Sequence, residues 1–175
     1  QFGRLTLNPL PHIDLFGTVI VPLVMLLFTP FVFGWAKPVP INPRLLHRPR
    51  QAWRAISLAG PAANLAMAFV WALAFALSPL APASFQYPLA QMAQYGILAN
   101  TVLFIFSLIP ILPFDGGRII DSFLPPAASQ SFRKIEPYGS WIVLALVFSG
   151  VLGKVLGPLV LLVMGLVHGL ASLLT

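Results

Sequence analysis

The sequence predicts an all-α polytopic membrane protein, a bundle of about four transmembrane helices with one short strand-like or re-entrant segment. Two observations lead to this fold class. Of the 175 residues, 58% are hydrophobic and only 8% are charged, which is far from the composition of a soluble domain. Apolar stretches occupy residues 13–34, 55–77, 97–112 and 141–174, and about 20 such residues suffice to cross the hydrocarbon as a helix.

The chain is predicted to form a single membrane-embedded domain over residues 1–175. Residues 1–12 combine a strand-like run with Asn-Pro and Leu-Pro pairs, which suits an interfacial strand or loop. Residues 13–125 form the core, and residues 126–175 form a C-terminal membrane segment. Glycines and a proline interrupt that last segment, so the sequence allows either one tilted helix or a bent pair.

Prolines indicate where the N-terminal half departs from regular helix. Pro22 and Pro30 predict a first segment that is kinked or that dips into the membrane and returns. The stretch FGWAKPVPINP, residues 33–43, contains three prolines and predicts an extended loop with edge-strand character. Such a loop could offer backbone edges to an unwound substrate, or it could be a plain membrane-surface loop.

Two further helices are predicted in the middle of the chain. The first begins between Arg50 and Trp53 and ends at Leu77, and its many small residues should allow close packing inside the bundle. Prolines then predict a connection over residues 78–88. A third helix follows at roughly 89–109.

The net charge of +6 comes from ten Lys and Arg residues against four acids. Arg44, Arg48, Arg50 and Arg54 gather with His47 in one connection, which the positive-inside rule places in the cytoplasm, in contact with membrane lipids. Nucleic acid is therefore not an expected partner. The chain has no cysteine, so any metal must be bound through His, Asp, Glu or backbone oxygen.

Asp115 is the best functional candidate, in the stretch ILPFDGGRII at residues 111–120. An ionisable residue beside apolar helical runs is costly unless it has a partner. Pro110 and Pro113 before it and two glycines after it predict irregular backbone, which membranes tolerate where protein or a water-filled cavity surrounds it. A structural interpretation stays open, in which Asp115 caps a helix that begins near Gly117.

Four stretches resemble the signature segments of the small bacterial branch of the site-2 protease family of intramembrane zinc metalloproteases. They are GRLTLNPLPHID at 3–14, FGWAKPVPINPR at 33–44, AGPAAN at 59–64 and NTVLFIFSLIPILPFDGGRII at 100–120. They occur in the family's order and cover most of residues 3–120. Residues beyond 125 carry no specific match.

The resemblance implies a function and a location. Asp115 would be a zinc ligand beside two histidines, and the protein would hydrolyse a peptide bond in a membrane-spanning peptide or protein substrate. The expected location is the bacterial inner (cytoplasmic) membrane. Ser107 stands where relatives often carry an Asn that helps to polarise the substrate carbonyl, and it can still donate one hydrogen bond.

The His-Glu-x-x-His motif of that family is absent from the 175 residues. The chain has three histidines, His12, His47 and His168, and none maps onto the family's ligands. Residue 1 is Gln, so we expect the natural chain to start upstream, where the family carries this motif. Two accounts stay open: a truncated protease core, which should be inactive alone, or a catalytically incompetent homologue acting as a membrane scaffold or subunit of a complex.

Two asparagines in apolar helices are weaker candidates. Asn64 and Asn100 could bind an extended substrate strand, or they could be hydrogen-bonding contacts between helices, which are ordinary in membranes. His12 with Asp14 is interpreted as an interfacial loop pair and His168 as a packed or lipid-edge side chain. A transporter that uses Asp115 as an ion site would need further intramembrane acids or a repeat, and neither is evident.

Overall fold

The computed structural model describes residues 13–28 and 49–173. They belong to two compact units, residues 1–46 and residues 47–175, which are described separately. In the first unit, a π-helical segment, Leu15–Ile20, continues directly into helix α1, Val21–Phe28. Pro22 lies at this junction, where its missing N–H interrupts the regular α-helical ladder. The predicted loops at 1–12 and 33–43 lie outside the described residues.

The second unit contains six α-helices among its described residues. They are α2 (Pro49–Leu77), α3 (Ala83–Ser107), α4 (Asp115–Phe123), α5 (Pro126–Arg133), α6 (Glu136–Phe148) and α7 (Val151–Ser172). A short 3-10 turn, Ser78–Leu80, follows α2. The part of the chain that the structure describes contains no strand, so the predicted all-α class is confirmed.

Three of the described helices are long and apolar enough to cross a membrane: α2 with its 3-10 extension, α3 and α7. Helix α6 is apolar but shorter. Each exposes many large apolar side chains, as expected for a surface that faces lipid rather than water. The prediction of a polytopic helical bundle therefore holds.

Helices α2, α3 and α7 share a small-residue core. Ala68 and Ala72 of α2, Ile97 of α3, and Val167 and Ala171 of α7 form one buried cluster. The Trp71 ring packs directly over Gly96. The three alanines of this cluster and Gly96 let the helix backbones approach closely, which is the packing that lipid-embedded helices depend on.

The predicted bounds of α2 are confirmed, whereas those of α3 are wrong at its start. Helix α3 begins at Ala83, inside the stretch predicted as a connection, and Pro88 is accommodated within it. A proline removes one backbone hydrogen bond and crowds the preceding turn, but flanking turns can carry the helix past it. The prolines at 79 and 82 do mark the true break, since Pro82 is the N-cap residue of α3.

The C-terminal segment consists of two helices joined at a bend, which is the second of the two arrangements that the sequence allowed, rather than one tilted helix. Helix α6 ends at Phe148 and α7 begins at Val151, with Gly150 between them at a φ of 72°. This left-handed conformation is readily accessible to glycine. The sequence alone left this choice open.

The junction of α4 and α5 contains an ion pair between Asp121 and Arg133, at 2.7 Å. Arg133 donates two hydrogen bonds to this carboxylate, and Ser129 donates a further one at 2.5 Å. Burial by itself would raise the pKa of Asp121, but these hydrogen bonds and the positive charges of Arg133 and Arg50 outweigh it, and the pKa is lowered.

A pH-dependent contribution to stability follows from this lowered pKa. The folded state favours the ionised form of Asp121. The contribution of Asp121 to the free energy of unfolding is therefore complete above the ordinary pKa of 3.8, and it is lost as the pH falls through the lowered pKa of the folded state. We expect Asp121→Asn to reduce the midpoint of thermal unfolding in detergent by about 2–4 °C at pH 7. At pH 3 the difference from the wild type should shrink. An equal difference at both pH values would contradict this assignment.

Candidate metal-ligand site at the start of helix α4

Asp115 is the first residue of helix α4, and Phe114 is the N-cap residue. The Leu112–Pro113 peptide bond just before it is cis. No side chain caps this helix end, so the capping interpretation, in which the carboxylate bonds to the first backbone N–H groups, is not what the geometry shows. The carboxylate is available for another partner.

Two glycines allow the connection between α3 and α4 to fold tightly under Asp115. A Cβ atom at Gly116 would stand 2.6 Å from the carbonyl oxygen of Ile109, and one at Gly117 would stand 2.6 Å from that of Ile111. Both distances are too short for real contacts. The Gly-Gly pair therefore lets helix α4 lie directly on the backbone of the connection.

Helix α4 packs antiparallel along the first half of α2. At one end, a Cβ built on Gly60 would lie 3.4 Å from Oδ2 of Asp115. At the other end, Arg54 hydrogen-bonds to Ser122. The absence of a side chain at Gly60 leaves room for the carboxylate beside α2, so the AGPAAN and DGG stretches meet in space.

The electrostatic setting of Asp115 differs from that of Asp121. Burial raises the pKa of the Asp115 carboxyl, and the positive charge of Arg118 partly opposes this rise. The Arg118 guanidinium is itself engaged elsewhere, since its Nε donates to the carbonyl oxygen of Pro113 at 3.1 Å. Within the described part of the chain, no hydrogen-bond donor reaches the Asp115 carboxylate.

The structure places the other predicted site residues on the long helices. Ser107 is the last residue of α3, and its hydroxyl donates to the carbonyl oxygen of Phe104 at 2.9 Å. The Asn100 amide donates to the carbonyl oxygen of Gly96 at 2.8 Å, within its own helix. Asn64 is half-buried on the α2 face that also carries Pro61 and Ala68. Their roles toward a substrate stay predictions.

His168 does not belong to this site. Its Nδ1 lies 2.8 Å from the carbonyl oxygen of Met164, and its ring packs edge-on against Phe75. His12 and His47 lie outside the described residues. No group of three or more potential metal ligands converges within residues 13–28 and 49–173, so the described residues supply one donor and do not by themselves complete a tetrahedral zinc site.

Comparison with known proteins identifies the family. A protein of Bacillus subtilis (strain 168), named "Putative zinc metalloprotease YwhC", is 38% identical over 161 residues, which cover 90% of this chain and 70% of the relative. The chain belongs to the YwhC family of zinc metalloproteases. No family model matches the chain, and no solved structure matches it.

Membership of the YwhC family agrees with the metalloprotease and zinc expectations drawn from the sequence. The three membrane-length helices agree with a membrane protein, and the bacterial inner membrane stays a prediction. The sequence analysis missed two features of the site. Gly60 lies beside the Asp115 carboxylate, and its only signal was its place in the AGPAAN stretch. Arg54 contacts helix α4, although its position in a basic cluster indicated only membrane topology.

Proposed function

We propose that this chain is the core of a site-2-type intramembrane zinc metalloprotease and that Asp115 is one of the zinc ligands. The substrate class is a membrane-spanning peptide or protein. The remaining ligands would come from residues outside the described part of the chain. Zinc bound at such a site polarises a peptide carbonyl and lowers the pKa of a bound water.

One observation carries the proposal: a half-buried carboxylate that accepts no hydrogen bond from any described group, although the charge of Arg118 acts on it. A carboxylate withdrawn from water without hydrogen bonds is unfavourable, and a divalent cation reverses that cost because its charge dominates the local field. Asp121 provides the internal comparison, since its carboxylate is bonded to both Ser129 and Arg133. The Asp121 carboxylate is therefore satisfied by its neighbours, whereas the Asp115 carboxylate accepts no hydrogen bond from a described residue.

The residues around Asp115 suit it as a single oxygen ligand. Gly60 presents no side chain to it, since even an added Cβ would lie 3.4 Å from Oδ2, and the α2–α4 packing holds its backbone in place. Ser107 lies one residue before Leu108, whose carbonyl group contacts Gly116. From this end of α3, rotation of the Ser107 hydroxyl away from Phe104 would provide a hydrogen bond for a substrate carbonyl.

Zinc content tests the ligand assignment directly. In the full-length protein purified in detergent, we expect Asp115→Asn to weaken zinc affinity by at least about 100-fold, because loss of even a supporting residue costs up to that much. Asp121→Asn, the matched control on the same helix, should retain wild-type zinc. Equal stoichiometric zinc in the Asp115 variant and the control would refute ligation by Asp115.

The alternative function, a non-catalytic scaffold or subunit, makes the opposite prediction. A scaffold would contain no zinc in its full-length form, and Asp115→Asn would leave partner binding unchanged. Measuring zinc in the wild-type protein before any substitution therefore separates the two functions.

A further inference from the structure

Arg54 binds the C-terminal end of helix α4 at the opposite end of the α2–α4 pair from Asp115. Its Nε donates to the Ser122 hydroxyl at 3.0 Å, and its Nη2 donates to the Ser122 carbonyl oxygen at 2.9 Å. The guanidinium carbon also lies 3.8 Å from the centroid of the Phe123 ring. One side chain of α2 therefore makes three contacts with two consecutive residues of α4.

The chemistry of these contacts requires an arginine. The Ser122 hydroxyl gives its own hydrogen to the carbonyl oxygen of Ile119 at 2.6 Å, so it presents a lone pair to Arg54. The Ser122 carbonyl belongs to the last turn of α4, where carbonyl groups lack partners within the helix. A planar guanidinium can bond to both acceptors and stack on a ring at the same time, whereas a lysine ammonium cannot.

The two ends of the α2–α4 pair are held differently. At the Asp115 end, α2 presents Gly60 toward the carboxylate, at a distance where an added Cβ would lie 3.4 Å from Oδ2, and a glycine has no side chain with which to bond to it. At the Ser122 end, the hydrogen bonds are directional and partly buried. Because α4 is a single helix of nine residues, fixing its C-terminal end along α2 also fixes its first residue.

We propose that Arg54 is a positioning residue that sets where the Asp115 carboxylate stands along α2. The functional meaning of this position rests on the proposed role of Asp115 as a zinc ligand. The structural statement does not depend on zinc, because it concerns only how two helices are held in register.

A cross-linking experiment measures this register without relying on activity. The 175 residues contain no cysteine, so Gly60→Cys and Asp115→Cys can be introduced as a defined pair in the full-length protein in native membranes, with each single-cysteine variant as its control. The rate of reaction with a short thiol-specific cross-linker, in the presence of a chelator, is then compared among backgrounds. The wild-type background should react fastest.

Arg54→Leu should lower the cross-linking rate by about tenfold, the change expected when a charge-assisted hydrogen-bonded pair is lost. Arg54→Lys keeps the charge but not both bonds, so it should restore only part of the rate. Ser122→Ala removes one acceptor and should give a smaller decrease. Lys154→Leu is the matched control, because it removes a positive charge from α7, at an exposed position, and should change nothing.

The outcomes distinguish a positioning role of Arg54 from general instability of the variants. They also test this role separately from the proposed zinc ligation by Asp115. An unchanged rate in Arg54→Leu, or an equal decrease in Lys154→Leu, would overturn the positioning role. If Arg54→Leu fails to fold, the graded series of Arg54→Lys and Ser122→Ala still decides the question. Zinc content is measured in parallel with Asp115 intact: a lowered cross-linking rate with unchanged zinc would support positioning while counting against Asp115 as a ligand.

Discussion

Under the proposed function, replacement of Asp115 by alanine is expected to lower kcat/KM for cleavage of a membrane-spanning peptide by at least about 10³-fold, because a metal site that loses one of its few protein ligands loses both affinity and geometry. The loss should appear in kcat as well as in KM, since activation of the reacting groups fails even when substrate is bound. The substrate can be a tagged single-span peptide reconstituted with the full-length protein in lipid vesicles, with cleavage followed by a shift of the tagged fragment on a gel.

Two companion variants make the Asp115 result specific. Asp121→Ala removes the other carboxylate of helix α4 and should reduce kcat/KM only slightly, because its partners Ser129 and Arg133 belong to the α4–α5 junction. Asp115→Glu keeps an oxygen donor but adds a methylene on the side where Gly60 leaves limited room, so partial activity is expected. Wild-type kinetics in Asp115→Ala would rule out a role of this residue in the reaction.

Substitution of Gly139 by alanine is expected to destabilise the fold by about 3 kcal/mol or more, at the upper end of what overpacking costs. A Cβ atom there would overlap the carbonyl group of Leu112 and would stand 3.2 Å from Cγ2 of Ile111. The Leu112 backbone has little room to retreat, because Gly117 lies against the preceding peptide group, between Ile111 and Leu112, where an added Cβ would be 2.5 Å from the Leu112 nitrogen. The connection between α3 and α4 is therefore enclosed between the backbones of α4 and α6.

The matched control for Gly139→Ala has the opposite expected sign. Gly165 lies within α7, and nothing stands within 4 Å of a Cβ added to it. Alanine is the better helix former, so Gly165→Ala should be neutral or stabilising by up to about 1 kcal/mol. Thermal unfolding of both variants in the same detergent, with monodispersity measured by size exclusion, provides the comparison. Equal midpoints for the two variants would contradict the backbone contact at Gly139.

The sequence predicted the helical membrane class because composition and the length of apolar runs are properties of the chain itself. It predicted the end of α2 because Pro79 and Pro82 interrupt the helix soon after Leu77. It failed at the start of α3, where a proline inside a helix and a proline that breaks one look alike in sequence. The deciding factor is whether neighbouring turns compensate for the missing hydrogen bond.

The candidate site was predicted in part. The cost of an acid among apolar residues and the adjoining glycines singled out Asp115, and both arguments need only the sequence. The place of Gly60 and the contacts of Arg54 depend on the register of α2 against α4, which no local pattern encodes. Tertiary packing sets that register, so a residue six positions before Gly60 could not be linked to Asp115 from sequence alone.

The closest contacts of Gly116, Gly117 and Gly139 with the Leu108–Leu112 connection are made with main-chain atoms. The course of the chain there depends on how closely main chains approach, while Ile109 and Leu112 add buried side chains to the interior. A mutational library should accept varied apolar residues at the exposed position 108 and reject almost every replacement at the three glycines. Efforts to change the protein by repacking side chains are therefore better directed away from these glycines, to surfaces where side chains meet.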